Sequence, residues 1–181
     1  SRGKAINAFD IANAFKKDPE KAYGKTYAKS IERLNIYSQG FLTGAIDLVF
    51  ADSNDLKTAK WWVIDWKSNW IGTNNKDGKT DLCGPYHYSY DAMNKQMLMH
   101  HYPLQAHIYL LALHKFLKWR LPGYNLKKNL GGYIYFFLRG IPSNKELIER
   151  PLDTRIPGLM IETAPLNRIM ELEKIITMED K

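Results

Sequence analysis

The sequence predicts an α/β fold, because stretches typical of strands and of helices occur in the same chain. Residues 36–50 and 60–67 are rich in Val, Ile, Leu and aromatic side chains, a composition typical of buried strands. Residues 131–138 form a third run of this kind. Residues 90–101 and 103–121 instead repeat apolar groups at helical spacing. At least three strands and two long helices are therefore expected.

Two helices are predicted before the first strand. Residues 5–16 place apolar groups on one side of a helix, namely Ala5, Ala8, Phe9, Ala12 and Phe15. Residues 20–33 form the second helix, which Gly24 weakens and whose run of Lys and Glu indicates a solvated face.

The first two strands are predicted to pair as a β-hairpin. Residues 52–55 (Asp-Ser-Asn-Asp) are turn formers, and they give a loop somewhat longer than the tightest kind. Asp47, Asp65 and Lys67 occupy strand positions at which apolar residues are more favourable. Because burying an unpaired charge costs several kcal/mol, each of these groups needs a partner or a metal ion.

The charged residues of the hairpin are expected to converge. Asp65 and Lys67 are two residues apart, so they project from the same face of a strand, and the adjacent strand can bring Asp47 beside them. Two carboxylates offer hard oxygen ligands to Mg²⁺, which acidifies a bound water, and a lysine can stabilise developing negative charge. The other interpretation is a buried Asp–Lys salt bridge, which we would prefer for an arbitrary D-x-K pattern because the pattern is short.

The rest of the chain completes a single predicted domain over residues 1–181, without a repeat or an internal boundary. Residues 68–90 form a long loop, and such loops are usually functional or mobile. The helix over 103–121 begins at Pro103 and ends before Pro122. A stretch with several prolines follows the third strand, and a short amphipathic helix is predicted near 165–177.

Composition narrows the class of protein. The 181 residues include 45% hydrophobic side chains, enough for one domain with a real core. The net charge of +7 favours a polyanionic partner, for which nucleic acid is the usual choice. Cys83 is the single cysteine, so an internal disulfide and a multi-cysteine zinc site are excluded. No apolar run is long enough to span a membrane, and we expect a cytoplasmic protein without a membrane partner.

Three polar side chains outside the hairpin are candidates for the same site. Gln105 and Tyr109 are four residues apart and share one face of a helix. They form either the polar edge of a core helix or a contact to nucleic acid and the metal site, and the spacing does not decide. Arg139 directly follows the third strand. At that position it either binds a phosphate group or is an ordinary surface charge. The five histidines lack the i, i+4 spacing of a helical zinc site and are expected on the surface or in grooves.

These motifs resemble one family. Gly44-x-x-Asp47, Asp65-x-Lys67 and Gln105-x-x-x-Tyr109 are similar to the motifs of the PD-(D/E)XK nucleases in their RecB-type form. Over residues 40–141, including Gly-Gly-Tyr-Ile-Tyr-Phe-Phe-Leu-Arg-Gly at 131–140, the chain resembles the nuclease domains of bacterial exodeoxyribonuclease V. The resemblance implies a restriction-endonuclease-like core with a central mixed β-sheet flanked by helices. It also implies a Mg²⁺-dependent exodeoxyribonuclease.

The resemblance assigns a role to each candidate residue. The residues implied to bind the metal are Asp47, Asp65 and, through its backbone carbonyl, Trp66, while Lys67 is the implied catalytic lysine. Those expected to contact DNA are Gln105, Tyr109 and Arg139. The implied cofactor is Mg²⁺, with Mn²⁺ or Ca²⁺ as substitutes. The implied partners are DNA and the other subunits of a RecBCD-type helicase–nuclease that acts in double-strand-break repair and recombination.

One feature departs from the family pattern. The family places a metal-binding histidine on a helix upstream of the first aspartate, and no histidine precedes Asp47 here. We therefore expect a fragment of a nuclease-type domain that lacks its N-terminal helix, with water in place of the third ligand. The alternative is a catalytically inactive nuclease-fold module that binds DNA or partner subunits. A metal-dependent hydrolase of another phosphate ester is a third possibility.

Overall fold

A four-stranded sheet with helices packed against it forms the centre of the computed structural model. The structure describes residues 6–34, 37–38, 44–73, 83–149 and 155–177. In chain order its elements are β1 (Ile6–Asn7), α1 (Ala8–Phe15), α2 (Lys25–Glu32), β2 (Tyr37–Ser38), β3 (Leu48–Ala51), β4 (Trp61–Lys67), α3 (Tyr90–Met99), α4 (Tyr102–Arg120), α5 (Leu126–Asn129), β5 (Leu130–Phe137), α6 (Asn144–Glu149), β6 (Leu159–Thr163) and α7 (Leu166–Thr177). Short 3₁₀ turns cover Pro85–His87 and Leu138–Gly140.

The large sheet is mixed, with strand order β3-β4-β5-β6. The β3–β4 and β5–β6 pairs are antiparallel, whereas β4 and β5 are parallel. A parallel pair needs a crossover connection, and α3, α4 and α5 lie within the one between β4 and β5. The predicted α/β class and the mixed sheet flanked by helices are confirmed.

The core lies between the sheet and the helices. Val63, Tyr133 and Tyr135 point from the sheet into this core, where they are grouped with Leu110 and Leu117 of α4. Each of these side chains is at most 2% exposed. The sheet residues are spaced by two because successive side chains of a strand point to opposite faces.

The opposite face of the sheet is partly open and apolar. Leu48, Trp66 and Ile161 belong to it and are 43%, 42% and 52% exposed. Trp62 lies against the glycine pair 131–132, where a Cβ atom on Gly131 would come within 2.5 Å of the indole. Because such a contact is too close for two carbon atoms, the small glycines allow this tryptophan to lie on the neighbouring strand.

A buried arginine ties the C-terminal helix to the N-terminal helices. Arg168 of α7 is fully buried and donates hydrogen bonds to the backbone carbonyls of Lys17, Asp18, Lys21 and Ala22. In return, the Asp18 carboxylate accepts from the backbone N–H of Arg168 at 3.1 Å. This exchange satisfies a buried charge and holds the connection between α1 and α2 against the start of α7.

The predicted hairpin is present, but its first strand is shorter than predicted. Within the range 36–50, residues 37–38 pair with β1 in a separate two-stranded ribbon, and only 48–50 belong to β3. Residues 36 and 39–43 of this range lie outside the described residues. The predicted loop, longer than the tightest hairpin turn, is confirmed: the Asp52 carboxylate accepts from the backbone N–H of Lys60 at 2.8 Å. The hydrogen-bonded turn within this loop begins at Asp55, whose carbonyl accepts from the backbone N–H of Thr58 at 3.1 Å.

The predicted helices are found with shifted ends, and four short helices or strands were not predicted, namely β1, α5, α6 and β6. Phe9 was expected on the buried side of α1 but is 61% exposed, and Ala5 lies outside the described residues. The proline-containing stretch after β5 holds α6 and β6, and α5 precedes β5. Residues 74–82, which are part of the long loop predicted over 68–90, also lie outside the described residues. None of the helices that the structure describes is long and apolar enough to cross a membrane.

Candidate functional site

Strand β4 places two of the candidate residues on the inner face of the sheet. Asp65 is 4% exposed, and the Lys67 side chain, two residues further on, is 13% exposed. Trp66 between them points to the opposite face, where its ring centroid lies 4.9 Å from that of Phe136. The alternation predicted for Asp65 and Lys67 is therefore confirmed, and both groups lie where water is largely excluded.

Asp47 reaches the same place from the start of the hairpin. The β3–β4 register pairs Leu48 with Ile64, so one further step sets Asp47 opposite Asp65. Its carboxylate Oδ2 accepts a hydrogen bond of 2.9 Å from the backbone N–H of Trp66. The two carboxylates thus belong to neighbouring segments, one exposed and one buried.

Lys67 joins the hairpin to α4. Its Nζ lies 2.6 Å from Asp65 Oδ2 and donates to Gln105 Oε1 at 3.0 Å. The Gln105 amide in turn donates to the Tyr109 hydroxyl at 3.0 Å. Gln105 and Tyr109 therefore share a helix face, as predicted, and that face is directed at the lysine. At the D-x-K pattern the structure thus has both an Asp65–Lys67 salt bridge and a hydrogen bond from Lys67 to Gln105.

Two tyrosines that we did not predict complete the surroundings of the lysine. Lys67 Nζ lies 4.0 Å from the ring centroid of Tyr102 and 5.2 Å from that of Tyr135. The Tyr135 hydroxyl donates to Gln105 Oε1 at 3.0 Å, and the Tyr102 hydroxyl donates to Asn69 Oδ1 at 3.2 Å. The rings attract the cation and restrict the positions that its ammonium group can take.

The buried carboxylate of the site has one close charged partner, the Lys67 ammonium. Burial raises the pKa of Asp65, and the nearby Asp47 charge raises it further, although the hydrogen bond and charge of Lys67 act in the opposite direction. Apart from the ion pair with Lys67, Asp65 Oδ2 accepts no hydrogen bond of good geometry from the described residues. A second positive charge beside this oxygen would offset the cost of burying it.

The donor set fits a hard divalent cation. Asp47 and Asp65 offer carboxylate oxygens, which are the ligands that such a cation prefers, and the two residues lie on paired segments of the hairpin. Within the described ranges, no group of three or more His, Cys, Asp and Glu side chains is placed to hold a metal ion. Mg²⁺ tolerates such a sparse set because it usually retains several water ligands. The assignment of Asp47, Asp65 and the Trp66 carbonyl as metal ligands stays a prediction.

Arg139 lies at the end of β5, near the end of β4. Its guanidinium donates a hydrogen bond to the backbone carbonyl of Ser68, the residue that follows Lys67. The side chain is therefore close to the candidate site and tied to it by the backbone. Its contact with DNA stays a prediction.

A groove of about 440 Å³ runs along α4 beside the site. Its lining is largely apolar and comprises Gly44, Ile46, His101, Leu104, Gln105, Ile108, Tyr109 and Ala112. Leu104 and Ile108 are half-buried, and both line this groove.

The expected position of the histidines is wrong for two of them. His107 and His114 are 1% and 4% exposed and lie on the buried side of α4. His107 Nδ1 lies 2.6 Å from the carbonyl oxygen of Pro103, and burial lowers its pKa from 6.5 to about 3. His114 contacts the Tyr124 hydroxyl at 2.8 Å and a Glu173 carboxylate oxygen at 3.2 Å. Both are core groups with polar partners.

Comparison with known proteins points to one kind of subunit. No family model matches the chain. The RecBCD enzyme subunit RecB of Mycolicibacterium smegmatis is 32% identical over 141 residues, 78% of this chain and 12% of that protein. The same-named subunit of Escherichia coli is 37% identical over 66% of this chain and 9% of its own length. The same-named subunit of Buchnera aphidicola is 40% identical over 60% of this chain and 8% of its own length.

The match is to a small part of these subunits, because the chain spans about a tenth of the length of the curated relatives it matches. The level of identity over most of the chain nevertheless indicates common descent. The chain is therefore related to a region of the RecB subunit of RecBCD enzymes.

Proposed function

We propose that this chain is the nuclease portion of a RecB-type helicase–nuclease subunit and that it hydrolyses DNA phosphodiester bonds with Mg²⁺. One observation carries the proposal: three separate segments bring Asp47, Asp65, Lys67 and Gln105 to one place. Two carboxylates beside an ammonium suit phosphodiester hydrolysis, in which negative charge must be both bound and stabilised.

Each residue of the candidate site has a separate role in the proposed reaction. A bound Mg²⁺ would acidify a water molecule and offset charge on the phosphate. Asp47 and Asp65 hold the ion, and the Trp66 carbonyl adds a third protein oxygen. Lys67 keeps its ammonium where charge develops on the phosphate oxygens. Gln105 fixes that ammonium through its 3.0 Å hydrogen bond.

We infer the substrate from the net charge of the chain and the partner subunits from the related proteins. The net charge of +7 favours a polyanion, and Arg139 beside the site adds a cation suited to phosphate. The relatives are subunits of RecBCD enzymes. We therefore infer that DNA and the other subunits of such a helicase–nuclease are the partners, and that the reaction is exonucleolytic and serves double-strand-break repair and recombination.

Soaking crystals of the chain in Mn²⁺ tests the metal assignment. We expect anomalous density within reach of both the Asp47 and Asp65 carboxylates, since Mn²⁺ takes the same oxygen ligands as Mg²⁺. Crystals of Asp65→Asn should show this density weakened or absent. Carboxylates that diverge without a common approach point, or density elsewhere only, would contradict the assignment.

DNA binding should depend strongly on salt, because cationic side chains that contact phosphate release counterions. A labelled single strand titrated in EDTA at several salt concentrations measures this dependence. Arg139→Ala should reduce the slope of log K against log salt by about one. Binding that ignores salt would count against a phosphate-binding surface.

The alternative is a catalytically inactive nuclease-fold module that binds DNA or partner subunits. The 2.6 Å ion pair between Lys67 and Asp65 favours it, since the same contact serves a purely structural role. Incubation of a labelled strand with the chain and Mg²⁺ separates the two. Cleavage that Asp65→Asn abolishes supports the nuclease, whereas binding without cleavage supports the module.

A further inference from the structure

Helix α4 carries a stripe that continues past the candidate site. Gln105 and Tyr109 are followed at helical spacing by Ala112, Phe116 and Trp119. At about 100° per residue, these five positions lie within roughly 40° of one line along the helix. We call them the α4 stripe. It begins at the hydrogen bond to Lys67 and ends near the C-terminus of the helix.

The far end of the α4 stripe is aromatic and exposed. Phe116 is 54% exposed and Trp119 is 76% exposed, the latter a high value for so large an apolar side chain. Their ring centroids lie 6.4 Å apart in an edge-to-face arrangement. Both rings are therefore largely in contact with solvent and contribute little to the core of the part of the chain that the structure describes.

Positive charge accompanies the aromatic end. Lys115, Lys118 and Arg120 are all exposed, and α4 contains no acidic residue. The Arg120 guanidinium lies 4.9 Å from the Trp119 ring centroid, while Lys118 pairs with Glu173 of α7 at 3.0 Å. The surface around the two rings is therefore cationic.

We propose that the α4 stripe is a track for single-stranded DNA that leads to the candidate site. Bases stack on Trp119 and Phe116, while Lys115 and Arg120 contact phosphates. Exposed aromatic rings among cations are the combination by which proteins bind single strands without reading their sequence. A phosphate-bearing partner also matches the lack of acidic residues on the helix, which an ordinary apolar protein partner would not require.

The dimensions of the track suit a short strand. From Gln105 to Trp119 the helix rises about 21 Å. At about 3.4 Å per stacked nucleotide this distance corresponds to roughly six nucleotides. The track deepens the proposed function and rests on it, because it supplies the path by which a strand would enter the nuclease site.

The test compares single-stranded with double-stranded DNA. Affinities of labelled 12-nucleotide strands and of the matching blunt duplex are measured in EDTA, so that no cleavage occurs. In the double variant Phe116→Ala/Trp119→Ala we expect about tenfold or greater weakening for the single strand. The duplex should lose little, because its bases are already stacked and cannot lie on the rings.

Two further variants control for the loss of an exposed ring elsewhere and for the identity of the ring at position 119. Phe9→Ala removes another exposed aromatic residue, 61% exposed and with Lys16 Nζ 5.4 Å from its ring centroid, and should leave both affinities unchanged. Trp119→Phe keeps a ring at the end of the stripe and should retain most of the single-strand affinity. Unchanged melting temperatures show that each variant folds.

Several results would overturn the track. If the double variant bound the single strand as tightly as the wild type does, the two rings would not contact DNA. They would then belong to another surface, such as a protein contact. Equal losses for strand and duplex would exclude base stacking. Because binding is measured without Mg²⁺, a wild-type chain that binds but never cleaves contradicts the proposed function alone. A chain that cleaves, but binds single strands equally well without the rings, contradicts the track alone.

Discussion

Replacing Lys67 by alanine separates a catalytic lysine from a structural one. The substitution removes the 2.6 Å ion pair with Asp65, the 3.0 Å hydrogen bond to Gln105 and the contact with the Tyr102 ring. An electrostatic contact at the position where charge develops is worth roughly 10²–10³ in rate. We therefore expect cleavage by Lys67→Ala to fall by about this factor at a temperature at which the variant is folded.

The same substitution also has a cost in stability. The side chains of Lys67 and Asp65 are 13% and 5% exposed, and breaking a buried pair costs about 3–5 kcal/mol. For a chain of this size this corresponds to a fall of roughly 6–20 °C in Tm. The cost should shrink at acidic pH, because the raised pKa of Asp65 allows the orphaned carboxyl to become neutral.

The cleavage rate and the melting temperature are measured on one preparation with Mg²⁺ present. Lys60→Ala removes an exposed lysine of the same hairpin and should change neither quantity. A rate that falls only as far as the folded fraction falls would assign Lys67 a structural role. Cleavage at nearly the wild-type rate by folded Lys67→Ala would refute the catalytic role.

Three other substitutions test the site and the fold by thermal or denaturant unfolding. The raised pKa of Asp65 means that its stabilising contribution is present at acidic pH and lost as pH rises through that pKa. In metal-free buffer, the stability difference between Asp65→Asn and the wild type should therefore shift in favour of the variant as pH rises above about 4, the usual pKa of an aspartate. Mg²⁺ should raise the Tm of the wild type alone, and parallel pH curves would contradict the expected shift. The pKa of buried His107 is about 3 against the ordinary 6.5, so its contribution is present above pH 6.5 and lost towards pH 3. His107→Gln should flatten that part of the stability curve, and an equally steep loss would show that other groups cause it. A Cβ on Gly132 would overlap the backbone oxygen of Glu162 on β6, so Gly132→Ala should cost about 1–3 kcal/mol, whereas an unchanged Tm would mean that the sheet adjusts freely.

Three relations within the candidate site could be predicted because they follow from local rules of a strand, a hairpin or a helix. Asp65 and Lys67 share a face through the two-residue period of a strand, and Asp47 comes opposite Asp65 through the hairpin register. Gln105 and Tyr109 share a face through the helical period. None of these relations depends on how distant elements are arranged.

Other parts of the site depend on distant packing and were missed for that reason. Tyr102 and Tyr135 meet at Lys67 only because α4 crosses the sheet at this point. The alternation of β5, in which Tyr133, Tyr135 and Phe137 face the core, could have indicated the inward direction of Tyr135. The short strand β6 is preceded by prolines, and its identity depends on pairing with β5 rather than on its own five residues.

The sequence does contain a signal for the burial of two histidines, namely their spacing from the apolar residues of α4. His107 and His114 are seven residues apart, and each lies three residues before a buried leucine of α4, Leu110 or Leu117. A polar residue that recurs on the apolar face of a helix is buried there and needs a partner. His114 has two, in Tyr124 and Glu173.

The Arg168–Asp18 contact determines how the chain can be shortened. The two residues are 150 positions apart, yet each satisfies buried groups of the other's segment. A fragment that starts after Ala22 would leave the Arg168 guanidinium in the core without its carbonyl acceptors, which costs several kcal/mol. A fragment that stops before α7 would lack Arg168, whose guanidinium binds the backbone carbonyls of the α1–α2 connection. The candidate site is encoded in the middle of the sequence, but the smallest stable piece that carries it must retain both of these distant segments.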